Sequence, residues 1–227
     1  MVMKSKTPYL VCFGDSLTAG YQMGAGGFGL NVDTPPGGFI QQWIGARAEI
    51  VVTGICGEVT GEMVNRFSQD VVMQSPKITV ILGGTNDLGC GADPSQICQN
   101  LKHMYRVALD AGIDPVGVTV PSLCVADDEF GVALTGEDDP ERILPRWVQT
   151  HIDRRVVLNQ NIVEVCHTLN MKCLDLFTET SEGPHQLLAT RFSSDGLHFN
   201  SAGYEMFARL VWRHLLAESF GACPPSG

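Results

Sequence analysis

Hydrophobic residues along the chain follow two alternating patterns. Five short and almost continuous apolar runs occupy residues 9–13, 50–53, 78–82, 115–120 and 171–176. Runs of this length are typical of parallel strands that helices cover on both faces. The segments between them have apolar residues at every third or fourth position, as expected of amphipathic helices.

The clearest helical segment covers residues 93–111. Asp93 is a suitable N-cap, Pro94 suits the first helical position, and Gly112 marks the end. Four apolar residues at a spacing of four are predicted to face the core: Ile97, Leu101, Tyr105 and Leu109. Shorter apolar stripes predict further helices around residues 39–44, 63–71, 158–169 and 200–215, with Asn200 capping the last one.

Alternating strands and helices predict the fold class. Right-handed crossovers between parallel strands produce a three-layer α/β/α sandwich, here with a five-stranded sheet of flavodoxin-like shape. We find no internal repeat and no linker, so residues 1–227 are predicted to form a single domain. Ligands of such sheets bind beyond the carboxyl ends of the strands, and the chemistry is expected there.

Two irregular segments interrupt the pattern. Residues 24–38 hold six glycines and two prolines, and residues 121–145 are rich in acidic residues and turn formers. Long irregular stretches in a compact domain are functional loops or lids, or else solvated surface insertions. The sequence leaves both interpretations open.

Charge and hydropathy exclude several classes of partner. The chain has 15 Lys and Arg against 25 Asp and Glu, a net charge of −10, and no basic cluster longer than Arg154-Arg155. This balance argues against binding to nucleic acid or to an anionic membrane. The acidity of the two irregular segments also disfavours anionic substrates. Neither a signal peptide nor a transmembrane segment is apparent, so we expect a cytoplasmic protein.

The eight cysteines are scattered and include no CxxC pair. A chain of this length needs no disulfides to fold, and the nearest grouping, Cys166-His167 with Cys173, lacks the spacing of a zinc site. We therefore predict free thiols and no metal site.

Four polar clusters follow or lie near predicted strand ends, and the first contains Gly14-Asp15-Ser16. A serine in a glycine-flanked turn between a strand and a helix can present its hydroxyl to solvent. The usual Gly-x-Ser-x-Gly nucleophile elbow is absent, which argues against an ordinary α/β-hydrolase. An ordinary turn capped by Asp15 or Ser16 is the alternative.

The last cluster is Asp195-Gly196-Leu197-His198, just before the final helix. A carboxylate three residues before an imidazole can bind one ring nitrogen and leave the other to take a proton from a hydroxyl. A plain surface turn is the alternative. The other five histidines lack a comparably placed acid and are interpreted as structural or solvent-facing: His103, His151, His167, His185 and His214.

The two middle clusters contain Gly57, after the second strand, and Asn86, after the third. A backbone N–H of an unhindered glycine and a side-chain amide both suit an oxyanion, because neither needs a net charge. Each residue would also suit a simple turn or loop cap.

Taken together, the four clusters resemble the SGNH, or GDSL, hydrolase family of esterases and lipases. The resemblance extends from residue 9 to about residue 217 and keeps the family's order of motifs. It implies Ser16 as nucleophile, Gly57 and Asn86 as oxyanion donors, and Asp195 and His198 as the acid and base of a catalytic triad. One departure is Val59, which stands where the family often has a hydroxyl residue.

The resemblance also implies a function. It predicts a serine hydrolase that cleaves small carboxylic esters through an acyl-enzyme and needs no metal or organic cofactor. A carbohydrate O-deacetylase, a thioesterase or a lysophospholipase would use the same site. A non-catalytic, flavodoxin-like ligand-binding domain is the alternative from another class. The acyl group, the alcohol and the oligomeric state are not determined by the sequence.

Overall fold

The computed structural model describes residues 7–23, 29–31, 35–124, 144–193 and 195–222. In chain order its elements are β1 (Leu10–Gly14), α1 (Ser16–Ala19), β2 (Tyr21–Met23), β3 (Gly29–Asn31), α2 (Pro36–Ile44), β4 (Ile50–Gly54), α3 (Thr60–Asp70), β5 (Ile78–Leu82), α4 (Thr85–Gly89), α5 (Pro94–Asp110), β6 (Asp114–Val118), α6 (Arg146–Thr168), β7 (Lys172–Leu174), α7 (Leu176–Thr180), β8 (Ser181–Glu182), β9 (Leu187–Leu188), α8 (Ser201–Val211) and α9 (Ala217–Phe220). A π-helical turn, Trp212–Leu216, joins α8 to α9.

The five predicted strands are confirmed and form one parallel sheet in the order β4-β1-β5-β6-β7. Counted among these five strands alone, the order is 2-1-3-4-5, that of flavodoxin-like folds. Gly14 at the end of β1 pairs with Gly54 of β4 and Leu82 of β5. The carboxyl ends of the three strands therefore lie side by side.

Helices cover both faces of the sheet, as the sequence predicts. Leu10 and Cys12 of β1 pack with α2 and α8, whereas Val11 and Phe13 pack with α3, α5 and α6. Successive strand residues point to opposite faces, so a strand between two helical layers must be apolar throughout. Burial of each large side chain contributes about 2 kcal/mol, which stabilises the sheet from both sides.

Helix α5 confirms its predicted boundaries. Asp93 caps it by accepting a hydrogen bond from Ser95 N at 2.8 Å, and Pro94 is its first residue. The prediction that Leu109 faces the core is wrong, because this side chain is 39% exposed and Ala108 is buried instead. A strict spacing of four advances by about 40° more than a full turn at each step, so it leaves the buried face after three steps.

Most of the two irregular segments lies outside the described residues, and their interpretation stays a prediction. Among the described helices, none has the length and apolar character to cross a membrane. Six cysteines of the described part are free thiols: Cys12, Cys90, Cys98, Cys124, Cys166 and Cys173. No group of three His, Cys, Asp or Glu side chains within the described ranges could hold a metal ion.

Candidate active site

The segments that follow β1, β4 and β5 meet at one edge of the sheet. Ile55 N donates to Gly14 O at 3.0 Å, which ties the second segment to the first. The segment before α8 reaches the same edge, because Cys124 N, in the chain that follows β6, donates to Gly196 O at 2.8 Å. The fold therefore brings the four polar clusters of the sequence together.

Ser16 is the first residue of α1 and lies directly after β1. Asp15 caps this short helix by accepting a hydrogen bond from Leu17 N at 3.0 Å. The turn is tight at Gly14, where a Cβ atom would lie 2.2 Å from Leu82 O. Gly14 thus lets the chain turn close against β5 and positions Ser16 at the start of α1. Ser16 is only 4% exposed.

Ser16, His198 and Asp195 form a continuous chain of hydrogen bonds. His198 Nε2 lies 3.2 Å from Ser16 Oγ, and His198 Nδ1 lies 2.8 Å from Asp195 Oδ2. The second carboxylate oxygen accepts from the backbone N–H groups of Leu197, at 2.9 Å, and His198, at 2.7 Å. Both oxygens are thus engaged within one turn of chain, which fixes the orientation of the imidazole ring.

The Asp195 carboxylate is held in its charged form. Burial by itself would raise its pKa, but hydrogen bonds from the His198 ring and from two backbone N–H groups outweigh burial and lower the pKa to about 2. At neutral pH the group is therefore an anion beside the imidazole, ready to stabilise a positive charge on the ring.

Tyr21 of β2 packs against the imidazole. The two ring centroids are 4.4 Å apart, with the ring planes tilted by 57°. The carbonyl of Tyr21 accepts a hydrogen bond from the hydroxyl of Tyr204, a fully buried residue of α8. Tyr21 follows the Gly-Asp-Ser cluster by five positions, yet nothing in its spacing indicates that it would contact His198.

Asn86 and Gly57 lie on adjoining segments. The Asn86 side-chain amide donates to Glu58 O at 2.9 Å, and since an amide has two N–H groups, the other remains for a further acceptor. Gly57 has a φ of +80°, and no atom lies within 4 Å of the position that a Cβ would take. The positive φ therefore favours glycine at this position, and the space next to it is open.

An ion-pair network that the sequence did not reveal supports these segments. Arg66 of α3 forms a salt bridge with the buried Glu58 at 2.5 Å. The same guanidinium donates to Gly14 O at 3.0 Å and to Thr53 O at 2.9 Å. Arg66 thus holds the ends of β1 and β4 to the segment that carries Gly57.

A second hydrogen-bond network holds the start of α3 in place although Val59 has no hydroxyl group. The Thr60 hydroxyl donates to Asp87 Oδ1 at 2.6 Å, and Thr60 N donates to Asp87 Oδ2 at 2.9 Å. Val59 N in turn donates to Glu62 Oε2 at 3.2 Å, so the start of α3 is satisfied without a hydroxyl at Val59. One hydroxyl residue is enough to join the second cluster to the third.

Asp15 is a fully buried carboxylate next to Ser16. Its Oδ2 atom has no hydrogen-bond partner in the part of the chain that the structure describes. Burial raises its pKa to about 7, against the lowering effects of the Leu17 N–H and His198, and the carboxylates of Asp87 and Glu58 raise it further.

A comparison with known families agrees with this arrangement. Residues 12–206 match the model of the GDSL-like lipase/acylhydrolase family. The chain belongs to this family. It is therefore a hydrolase of the GDSL type, as the resemblance in the sequence predicted. No sequence among curated proteins matches the chain.

Solved structures with the same fold include an acylhydrolase and two esterases. A lipase/acylhydrolase from Enterococcus faecalis is 25% identical, with a TM-score of 0.66 over 96% of this chain and 98% of its own. A variant of a Geobacillus acetyl-xylooligosaccharide esterase is 16% identical, with a TM-score of 0.66 over 94% and 95%. The aryl esterase of M. smegmatis is 17% identical, with a TM-score of 0.64 over 88% and 94%.

Proposed function

We propose that this GDSL hydrolase is a serine esterase that cleaves small carboxylic esters through an acyl-enzyme. The observation that carries the proposal is the hydrogen-bond chain from Asp195 through His198 to Ser16, with distances of 2.8 and 3.2 Å. A hydroxyl, an imidazole and a carboxylate in this order constitute an activated nucleophile.

In the first step Ser16 Oγ attacks the acyl carbonyl carbon while His198 Nε2 takes the hydroxyl proton. Asp195 keeps the proton on Nδ1, so that Nε2 has a free lone pair, and it stabilises the imidazolium that forms. Its lowered pKa supports this role, because the carboxylate remains charged throughout the neutral range.

The negative charge that develops on the carbonyl oxygen needs donors that are already in position. We assign this role to the backbone N–H groups of Ser16 and Gly57 and to the Asn86 side-chain amide. The bond from Asn86 to Glu58 O holds the amide beside Gly57, so little reorganisation is needed during the reaction. Each such donor lowers the barrier by about 3 kcal/mol.

The second half of the reaction reverses the proton transfer. The imidazolium gives its proton to the leaving alcohol as the tetrahedral intermediate collapses to the acyl-enzyme. His198 then takes a proton from water as the water oxygen attacks the acyl carbonyl. The imidazolium returns this proton to Ser16 Oγ when the second tetrahedral intermediate collapses and releases the acid. These steps use only the side chains named above and water.

Replacement of Ser16 tests the proposal directly. We expect Ser16→Ala to lower the hydrolysis of 4-nitrophenyl acetate by about 10⁴-fold or more with an unchanged circular dichroism spectrum. Wild-type protein should be labelled by a fluorophosphonate, and Ser16→Ala should not. Ser95→Ala, which changes an exposed serine of α5, is the matched control. Undiminished turnover by Ser16→Ala would exclude this residue as nucleophile.

A substrate panel then separates the related activities that share this site. Esters of acetylated sugars, acyl thioesters and 4-nitrophenyl esters of increasing chain length distinguish a deacetylase, a thioesterase and a lipase. The ratio of kcat/KM within the panel identifies the preferred acyl group and leaving group.

A further inference from the structure

Arg155 of α6 is a buried cation that has one hydrogen bond and no salt bridge within the described part of the chain. The residue is 2% exposed, and its Nε donates to Pro121 O at 3.0 Å. A guanidinium has five N–H donors, and the other four meet no acceptor among the residues that the structure describes. Within the same part of the chain, no carboxylate forms a salt bridge with Arg155, whereas Arg66 forms two.

Arg155 lies at the edge of the sheet that carries the candidate active site. Helix α6 precedes β7 of the parallel sheet, so it begins at the carboxyl edge and runs away from it. A Cβ atom at Gly84 would lie 3.0 Å from a methyl group of Leu158 and 3.5 Å from one of Val120. Arg155 lies three residues before Leu158, about 4.5 Å nearer to this edge, where Asn86 also lies.

Electrostatics agree with this location. Burial lowers the pKa of Arg155 to about 10, and the charge of Asp15, the residue before Ser16, opposes the decrease. Burial also lowers the pKa of His151, and the charges of Arg155 and Arg154 lower it further. Arg155 is therefore close enough to interact with both the Ser16 turn and His151.

Two other polar atoms near Arg155 are buried and have no hydrogen-bond partner among the described residues. One is the Oγ of Ser122, a residue that is 1% exposed and follows the proline whose carbonyl binds Arg155. His151 is four residues before Arg155, on the same helical face, and its Nδ1 is likewise unsatisfied. Buried polar groups are nearly always paired in native proteins, so unpaired ones in one place indicate a ligand.

The surface above His151 has the same positive character. A cleft of about 550 Å³ is lined by Arg146, Trp147, Thr150, His151 and Arg154. Between Arg146 and Arg155 the helix carries three arginines and one acidic residue, Asp153, in a chain whose net charge is −10. The local potential therefore favours an anion, although the whole chain repels one.

We propose that Arg155, together with Ser122 and His151, forms a subsite for an anionic group of the ester substrate, a carboxylate or a phosphate. The inference rests on the proposed function, since it concerns the substrate of the same site. A guanidinium matches both anions through paired hydrogen bonds, and an arriving anion would neutralise a cation whose isolated burial is unfavourable. The expectation that acidic segments disfavour anionic substrates does not apply to this subsite.

Two esters of equal chain length test the subsite in catalysis. Wild-type protein should hydrolyse 4-nitrophenyl hemiglutarate with a kcat/KM at least about tenfold above that for 4-nitrophenyl valerate. Arg155→Met should lower the value for the hemiglutarate by about 10²-fold and that for the valerate by less than about threefold.

Asn159→Ala is the matched control. Asn159 binds Val120 through N–H and carbonyl contacts of 2.7 and 3.0 Å, so it supports the same segment without a charge. This variant should change kcat/KM by the same factor for both esters. The proposal is overturned if wild type shows no preference for the hemiglutarate. It is also overturned if Arg155→Met lowers kcat/KM by the same factor for both esters.

A binding measurement separates this inference from the proposed function. Calorimetry with the Ser16→Ala protein should detect the binding of glutarate or of inorganic phosphate. The anion that binds with the higher affinity identifies the group that the subsite prefers. Adding Arg155→Met should abolish the signal, and unchanged binding would disprove the subsite. If Arg155→Met does not fold, two other measurements test the subsite: the preference of wild type for the hemiglutarate, and the loss of glutarate binding to Ser16→Ala at high salt. The absence of both would disprove the subsite. Binding that depends on Arg155, in a protein that hydrolyses no ester, would retain the subsite and refute the esterase.

Discussion

The side-chain amide of Asn86 has two N–H groups, and only one of them is used by Glu58 O. If the other stabilises the oxyanion, Asn86→Ala should lower kcat for a short neutral ester by about 10²–10³-fold and change KM little. Steady-state kinetics on 4-nitrophenyl acetate measure this effect. Asn100→Ala is the control, because that amide donates to Thr60 Oγ1 at 3.0 Å instead. An unchanged kcat in Asn86→Ala would remove the assignment.

Asp15 makes the stability of the protein depend on pH. Burial raises its pKa from 3.8 to about 7, so between these values the unfolded chain releases a proton that the native protein keeps. The contribution of Asp15 to the stability therefore falls as the pH rises through this range, by up to about 4 kcal/mol. Asp15→Asn keeps a cap for α1 but cannot ionise, so its stability relative to wild type should rise from about pH 4 to pH 7. Urea unfolding across this range checks the trend, and a constant difference would contradict it.

Some residues of the site could be inferred from the sequence and others could not. Ser16, Asp195 and His198 stand in short motifs whose residue types suit one reaction, and the structure brings them together, while their roles stay predictions. Arg66 and Arg155 belong to no motif. Their environment depends on which carbonyl groups and carboxylates the folded chain brings to them, and no local pattern encodes this.

At the scale of elements, the turn that carries His198 depends on Gly196. This glycine has a φ of +82°, and a Cβ atom would lie 2.0 Å from Cys124 O. Gly196→Ala should therefore displace the turn and lower turnover by at least about 10²-fold, since a shift of about 1 Å has an effect of this size.

Gly91→Ala is the control for backbone strain. Gly91 has the same φ of +82°, but nothing lies within 4 Å of its Cβ position. Strain of alanine at positive φ should lower the stability of both variants by about 1 kcal/mol, measured by thermal unfolding. Gly196→Ala should lose more than this, because its Cβ also meets Cys124 O. Only Gly196→Ala should lose activity. Equal turnover in the two variants would show that the contact with Cys124 is unimportant for the site.

The five sheet strands and α5 could be predicted because their patterns are periodic or continuous over several residues. The pairs β2–β3 and β8–β9 could not, since strands of two or three residues are too short to show a period. Leu109 shows a related limit. Its spacing fits a stripe of four, but the burial of a side chain in the last turn of a helix depends on where the neighbouring elements end.

At the scale of the molecule, Tyr204 joins the two ends of the chain through its bond to Tyr21 O, 183 positions away. Tyr204→Phe should lower the free energy of unfolding by about 1–2 kcal/mol, because the buried bond is lost and the carbonyl is left without this donor. Tyr9→Phe is the control. Its hydroxyl also contacts the other end of the chain, at Ser219 Oγ, but in an exposed position. Urea unfolding of both variants measures the difference, and equal losses would contradict the prediction.

The strand order explains why these distant segments meet. Because β1 lies between β4 and β5, the serine turn has the Gly57 segment on one side and the Asn86 segment on the other. The alternating apolar pattern predicted the layers of the fold. The meeting of the Ser16 and His198 segments, by contrast, depends on how every intervening crossover packs.

The Asp195–His198 turn has a consequence for the order in which the site assembles. Joining these two side chains closes a loop of three residues, whereas joining His198 to Ser16 closes one of 182. The entropy lost on loop closure grows with contour length, so the first contact is open to a nascent chain and the second must await the nearly complete sheet. As the chain folds, the acid and the base should thus meet before the nucleophile joins them, so the site is complete only once the sheet has formed.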